Sequence, residues 1–219
     1  MSHQHPSHDI FENRNQFQLE RIILFTDAVF AIAITLLILE IKVPEAIHHV
    51  TRGSEAWSLL KGLALKFFGF FFSFILIGVY WMGHHRMFGY VINYNHRLLW
   101  LNLLLLMSIV LLPFTTALAF ESMTEDVDVV FIVYMLNHIL IGILFMLLWR
   151  YISNPKRKLA VGLENRKYLR YNYWRSLSVI IIFTVVIVLC FFNADIARYC
   201  TVLCAFTVPV VNRIFKFKG

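Results

Sequence analysis

Charge is scarce in this sequence. Asp, Glu, Lys and Arg together make up 15% of 219 residues, against about 25% in an average soluble domain. Hydrophobic residues make up 59%. That balance excludes an ordinary soluble enzyme and defines a multi-pass membrane protein, whose first partner is the lipid bilayer. Cysteine is also rare: the three residues, Cys190, Cys200 and Cys204, fall in or beside the last two apolar runs. An odd number in membrane segments excludes a disulfide framework, so they read as small packing residues. Residues 1–20 lack the apolar core of a secretory signal, and no cleavable leader is expected. HExxH, GxSxG and glycine-rich phosphate loops are absent. Adjacent His84 and His85 point in different directions on a helix and make a poor metal site. The sequence therefore predicts no enzyme, no metal and no cofactor.

Six apolar runs are present, at about 20–43, 54–90, 98–120, 128–151, 175–193 and 196–214. Each is long enough to cross a bilayer core of about 30 Å at about 1.5 Å per residue. The predicted fold is all-α, with residues 1–18 a polar, mobile tail and 19–215 one membrane domain. Pro44 ends the first helix and Ser54 is placed to cap the second. Gly62, Gly69 and Gly78 offer close helix packing, and Pro113 predicts a kink or break in the third run. Six spans put both termini on one side. The basic stretch 153–174 and most other Lys and Arg lie on that side, whereas Lys42, Arg52, Lys61, Lys66 and Arg198 lie opposite. Both termini are therefore predicted to be cytoplasmic. The net charge of +7 is explained by this topology, without a nucleic-acid partner.

The first run is the most informative. From Ile22 to Ile41 its polar residues are Thr26, Asp27, Thr35 and Glu40. A carboxylate at the centre of such a helix costs about 2.5–3.5 kcal/mol in lipid, so Asp27 is expected to face protein or water. Trp81 and His84, near the end of the second run at a comparable depth, are natural N–H donors to it. They also fit an interfacial aromatic belt. Ile32, Thr35, Leu36 and Leu39 follow i, i+3, i+4, i+7 spacing and share a face distinct from that of Asp27. By pattern alone that stripe packs against lipid or other helices.

Arg21-x-x-x-Phe25-Thr26-Asp27 resembles the R-x-x-x-F-S-D signature of the transmembrane protein 175 family, the lysosomal potassium channels of animals and their prokaryotic relatives. The likeness continues through Ala31-Ile32 and Thr35-Leu36-Leu37. Thr26 stands where Ser is usual and keeps the hydroxyl. The resemblance implies a one-repeat, six-helix member, assembled as a homotetramer with helix one lining a central pore. It implies a passive potassium channel, modestly selective over sodium and open to other monovalent cations, in a prokaryotic plasma membrane. Rings of Ile32, Leu36 and Leu39 would narrow the path and Thr35 would add hydroxyls. Trp81 and His84 would clamp the signature, with Asn102 of the third helix a further candidate. The TVGYG carbonyl filter and a regular Arg ladder are both absent, so selectivity would rest on side chains. Glu40 would raise local cation concentration on the far side, whereas Glu45 and the acidic 121–128 loop, which could add to it, read first as solvated loop charge. The competing readings are a proton- or cation-coupled transporter using Asp27 and His84, a membrane enzyme using His84 or His138, and a structural subunit.

Overall fold

Asparagine side chains start the ordered segments at one end of the molecule. Asn95 Oδ1 accepts from the Leu98 amide at 2.9 Å, Asn154 accepts from Lys156 at 3.1 Å, and Asn165 accepts from Lys167 and Tyr168 at 3.0 and 3.3 Å. Each satisfies amides that a helix start leaves without an internal partner. The computed structural model describes residues 6–42, 53–121 and 128–193. They form α1 (Pro6–Leu39), α2 (Gly53–Phe88), α3 (His96–Val110), α4 (Leu112–Glu121), α5 (Asp128–Ile152) and α6 (Arg166–Cys190). Among the described residues five segments are long and apolar enough to cross a membrane: Arg14–Leu39, Leu59–Phe88, His96–Phe120, Val129–Ile152 and Arg166–Cys190. The run at about 196–214 lies outside the described residues, as do Cys200, Cys204, Glu45 and most of the acidic loop.

Two helix starts precede the positions read from hydropathy. α1 begins at Pro6, within the stretch expected to be a mobile tail, and its 34 residues run for about 50 Å. α6 begins at Arg166, nine residues before the expected 175, inside the basic stretch. Hydropathy marks where a chain enters lipid; a capping Asn165 followed by good helix formers sets where the helix starts. The predicted break in the third run is present. α3 stops at Val110 and α4 starts at Leu112, because Pro113 has no amide and its ring crowds the preceding turn. Asn137 Nδ2 of α5 donates to the Ser108 carbonyl at 3.1 Å beside this break.

α1 packs on α2, α3 and α4, and α5 packs on α3, α4 and α6. The two connections at the basic end hold one another. The Ile92 amide donates to Leu159 O at 2.9 Å and the Val161 amide to Tyr90 O at 3.0 Å. Tyr151 O–H donates to Asn95 Oδ1 at 3.1 Å, and the Arg157 guanidinium lies 3.9 Å from the Tyr151 ring centre. Of the three glycines expected at close contacts, Gly69 meets the Phe120 ring, while Gly62 and Gly78 face open space. Gly83 and Gly142 were missed; their missing side chains make room for Arg175 and for the Ser176 backbone.

Candidate functional site

α1 has two faces with different neighbours. Leu19, Thr26, Phe30, Ala33 and Leu37 are buried, at the spacing of one helical stripe. The opposite side is bare: Leu24 is 68% exposed, Phe25 53%, Ile32 56% and Leu39 70%. Thr35 is exposed as well, with its hydroxyl donating to Ile32 O at 2.8 Å. Leu36 is half-buried, so the stripe drawn from spacing is most exposed at Ile32, Thr35 and Leu39. Glu40 is exposed beyond its end.

The signature residues divide between the faces. Arg21 and Phe25 are exposed, with the Arg21 guanidinium 6.0 Å from the Phe17 ring centre. Thr26 is fully buried and Asp27 half-buried. Thr26 O–H donates to Ile22 O at 2.9 Å. Its proton is thereby committed, and Oγ1 is left to accept. Asn102 Nδ2 of α3 donates to it at 2.9 Å. The Asn102 amide is now oriented, with Oδ1 turned to His84 Nε2 of α2 at 2.8 Å. An acceptor there requires the proton on Nε2. The His84 ring stacks on Phe88 at 4.1 Å and lies 5.8 Å from Phe30. Separately, Trp81 Nε1 donates to Asp27 Oδ1 at 2.8 Å. Three helices are thus joined through one relay, with Asn102 at its centre. His84 serves Asn102 rather than Asp27, so the carboxylate and the imidazole are held by different partners.

A second buried polar cluster, nearer the far side, joins His138, which the sequence offered only as a candidate enzyme residue, to Ser73, Tyr80, Thr116 and Tyr134, which the sequence did not single out. Thr116 O–H donates to Ser73 Oγ at 2.9 Å, and Ser73 lies 3.0 Å from Tyr134 Oη. Tyr80 Oη lies 2.8 Å from His138 Nδ1. Their signal was present as lone polar residues within apolar runs. The His138 ring is fully buried and stacks on Phe183 at 4.4 Å with 6° between planes. That burial removes it from any interfacial substrate. Among the described residues no group of His, Cys, Asp or Glu is assembled to hold a metal.

A chain with five membrane-length helices among the described residues, a buried polar relay between three of its helices and a bare apolar face on its first helix is a multi-pass membrane protein. The family described as endosomal/lysosomal potassium channel TMEM175 matches residues 21–113, a stretch that holds every member of the Thr26–Asn102–His84 relay. A potassium channel of Streptomyces collinus is 38% identical over 135 residues, covering 61% of this chain and 64% of that protein. A potassium channel of Chamaesiphon minutus is 39% identical over 150 residues, covering 68% of this chain and 73% of that protein. The crystal structure of a lysosomal potassium-selective channel TMEM175 homolog from Chamaesiphon minutus superposes with a TM-score of 0.75 at 31% identity, covering 90% of this chain and all of that one. The chain belongs to the TMEM175 family, among its prokaryotic members. The match to the Streptomyces relative spans just under two thirds of that relative's length.

Proposed function

We propose that the protein is the subunit of a passive, potassium-conducting channel, a homotetramer in a prokaryotic plasma membrane. In this reading residues 19–215 form a six-span channel domain with both termini cytoplasmic, and α1 lines the central axis. One helix cannot enclose a path, and closure needs several copies around an axis. The observation that carries the reading is the two-faced α1. Its signature side is tied into the bundle through Thr26 and Asp27, while Ile32, Thr35 and Leu39 are bare on the other. Relatives named as potassium channels add support from outside the chain.

Cations enter a wet vestibule and shed part of their water at a ring of Ile32 side chains, with Leu36 and Leu39 forming further apolar rings and Thr35 a ring of hydroxyls. Such rings gate by dewetting when narrow. Dehydrating sodium costs more than dehydrating potassium, so potassium is favoured modestly and other monovalent cations pass according to size. The transporter reading needs Asp27 and His84 to exchange a proton, and their separate partners, Trp81 and Asn102, speak against it.

The test is potassium flux from liposomes of purified protein, with sodium and an impermeant cation as controls, for wild type and Ile32→Asn. Potassium-favouring flux that loses its preference in the variant is the expected result. Unchanged selectivity and conductance in the variant would remove Ile32 from the constriction. Saturable, pH-coupled flux would favour the transporter.

A further inference from the structure

A groove of about 710 Å³ runs along the start of α6 where it meets the end of α5. Its floor is apolar, with Met146 from α5 and Leu169 and Leu177 from α6. Its upper rim is cationic: Arg166, Lys167 and Arg170 all line it, and no carboxylate does. Among the described residues none of these three side chains makes an ion pair.

Helix stability does not explain the three cations. They occupy the first turns of α6, the positive end of the helix dipole, where cations are disfavoured. That turn has no acidic residue to compensate. The bias of Lys and Arg toward one membrane face accounts for their side of the membrane. It does not account for their convergence on one apolar groove. A bound anion would offset both the mutual repulsion and the dipole.

The groove is also graded along the membrane normal. Tyr173 and Trp174 line it between the cationic rim and Leu177, where the apolar part of α6 begins. Tyr and Trp settle at the headgroup level of a bilayer. The cations therefore stand at the height of lipid phosphates, and Met146 and Leu177 at the height of the upper acyl chains. The volume falls in the range of about 300–1,000 Å³ typical of small-molecule sites.

We propose that this groove is a binding site for an anionic phospholipid of the bilayer leaflet at the basic end, with the phosphate held by Arg166, Lys167 and Arg170 and the proximal acyl chains laid on Met146 and Leu177. The site requires only the membrane setting and is independent of what the protein conducts.

The experiment measures phosphatidylglycerol retained by the full chain in phosphatidylcholine nanodiscs, by native mass spectrometry, beside thermal stability in nanodiscs with and without phosphatidylglycerol. Wild type should enrich phosphatidylglycerol and unfold at higher temperature when it is present. Each cation removed should weaken apparent affinity about fivefold, so R166Q/R170Q should lose about 25-fold. R166K/R170K should stay within a few-fold of wild type. Equal enrichment in wild type and R166Q/R170Q would overturn the site. Stabilisation by inorganic phosphate in phosphatidylcholine alone, matching that of phosphatidylglycerol, would overturn the lipid in favour of a free-anion site. Should the double glutamine variant not assemble, the wild-type comparison decides alone: no enrichment and no stabilisation overturns the proposal.

Discussion

Asn102→Ala should destabilise the bundle far more than its single amide suggests. The side chain is 3% exposed and serves both neighbours of the relay, at 2.9 Å to Thr26 and 2.8 Å to His84. Interhelical side-chain hydrogen bonds in membranes average about 0.6 kcal/mol, so two of them give only about 1 kcal/mol. Truncation, however, orphans the His84 N–H in a site closed to water, and a buried donor without a partner costs about 1–3 kcal/mol. Thr26 loses an incoming donor but keeps its bond to Ile22 O, so its share is the smaller. The expected loss for Asn102→Ala is therefore about 2–4 kcal/mol. Thr26→Val keeps the volume and removes the acceptor, leaving one Asn102 N–H unpaired, at about 1–2 kcal/mol. The double variant should fall short of the sum by about 1 kcal/mol, because the second change removes a group already orphaned by the first. Unfolding in mixed micelles, followed by tryptophan fluorescence for the wild type, both singles and the double, closes the cycle. Effects that add to within about 0.5 kcal/mol would show that the two side chains do not act as a pair and would refute the relay.

Trp81→Phe keeps a ring at the site but removes the donor to Asp27; with Trp81 37% exposed, the loss should be about 1 kcal/mol, read as a lower unfolding midpoint. Asp27→Asn retains an acceptor for Trp81 and should cost less than Asp27→Ala in the same assay. In a background with Cys190, Cys200 and Cys204 replaced by Ser, a charged thiol reagent should modify Ile32→Cys and Leu39→Cys and block flux. It should spare Ala33→Cys, which is fully buried; equal labelling at 32 and 33 would remove the water-facing assignment of the Ile32 stripe. At Gly142 an added Cβ would lie 2.9 Å from Ile180 Cγ1 and 3.3 Å from Ser176 O, so Gly142→Ala should wedge α5 from α6 at about 1–3 kcal/mol. Gly78→Ala meets nothing within 4 Å and should be neutral or stabilising by up to about 1 kcal/mol.

Sequence reasoning reached furthest where one residue type has one physical meaning. Pro113 could only interrupt the third run, and α3 and α4 meet there. Asp27 in an apolar helix had to find a donor, and of the two named, Trp81 and His84, Trp81 is the one that reaches it. The relay was only half legible. His84 was expected to serve Asp27, because charge attracts attention. It serves Asn102, because the hydroxyl of Thr26, turned toward its own helix, needs a donor, and the amide that supplies it presents its oxygen to His84. Single-helix patterns cannot show such an orientation, which depends on three helices meeting. The same holds for Gly83 and Gly142, whose role lies in what approaches them from α6. Helix starts were misread for another reason. The change from polar to apolar at 175 marks a solvent boundary, whereas the Asn165 cap marks a hydrogen-bond boundary, and the two need not coincide.

The position of the relay bears on how the Ile32 stripe would be held. At about 100° per residue, rotating α1 by one residue's step would swing Ala31 or Ala33 toward the place of Ile32 and change the width of any ring these residues form. Lipid or water on the bare face offers little resistance to such a turn. The resistance must come from the packed side, where Phe30, Ala33 and Leu37 are all but inaccessible and Thr26 and Asp27 are tied to two different helices. Apolar packing alone tolerates sliding, since one buried methyl resembles another. The bonds from Thr26 to Asn102 and from Asp27 to Trp81 do not, because each requires a donor to meet a particular acceptor. On the channel reading, the signature residues and the constriction are then two ends of one device. The polar residues fix the rotation of α1 from a distance of one to two helical turns, and the apolar residues use it. That reading separates the two kinds of substitution: changes at Ile32 should alter which ions pass while leaving stability nearly intact, whereas changes at Thr26 or Asn102 should lower stability and broaden selectivity together.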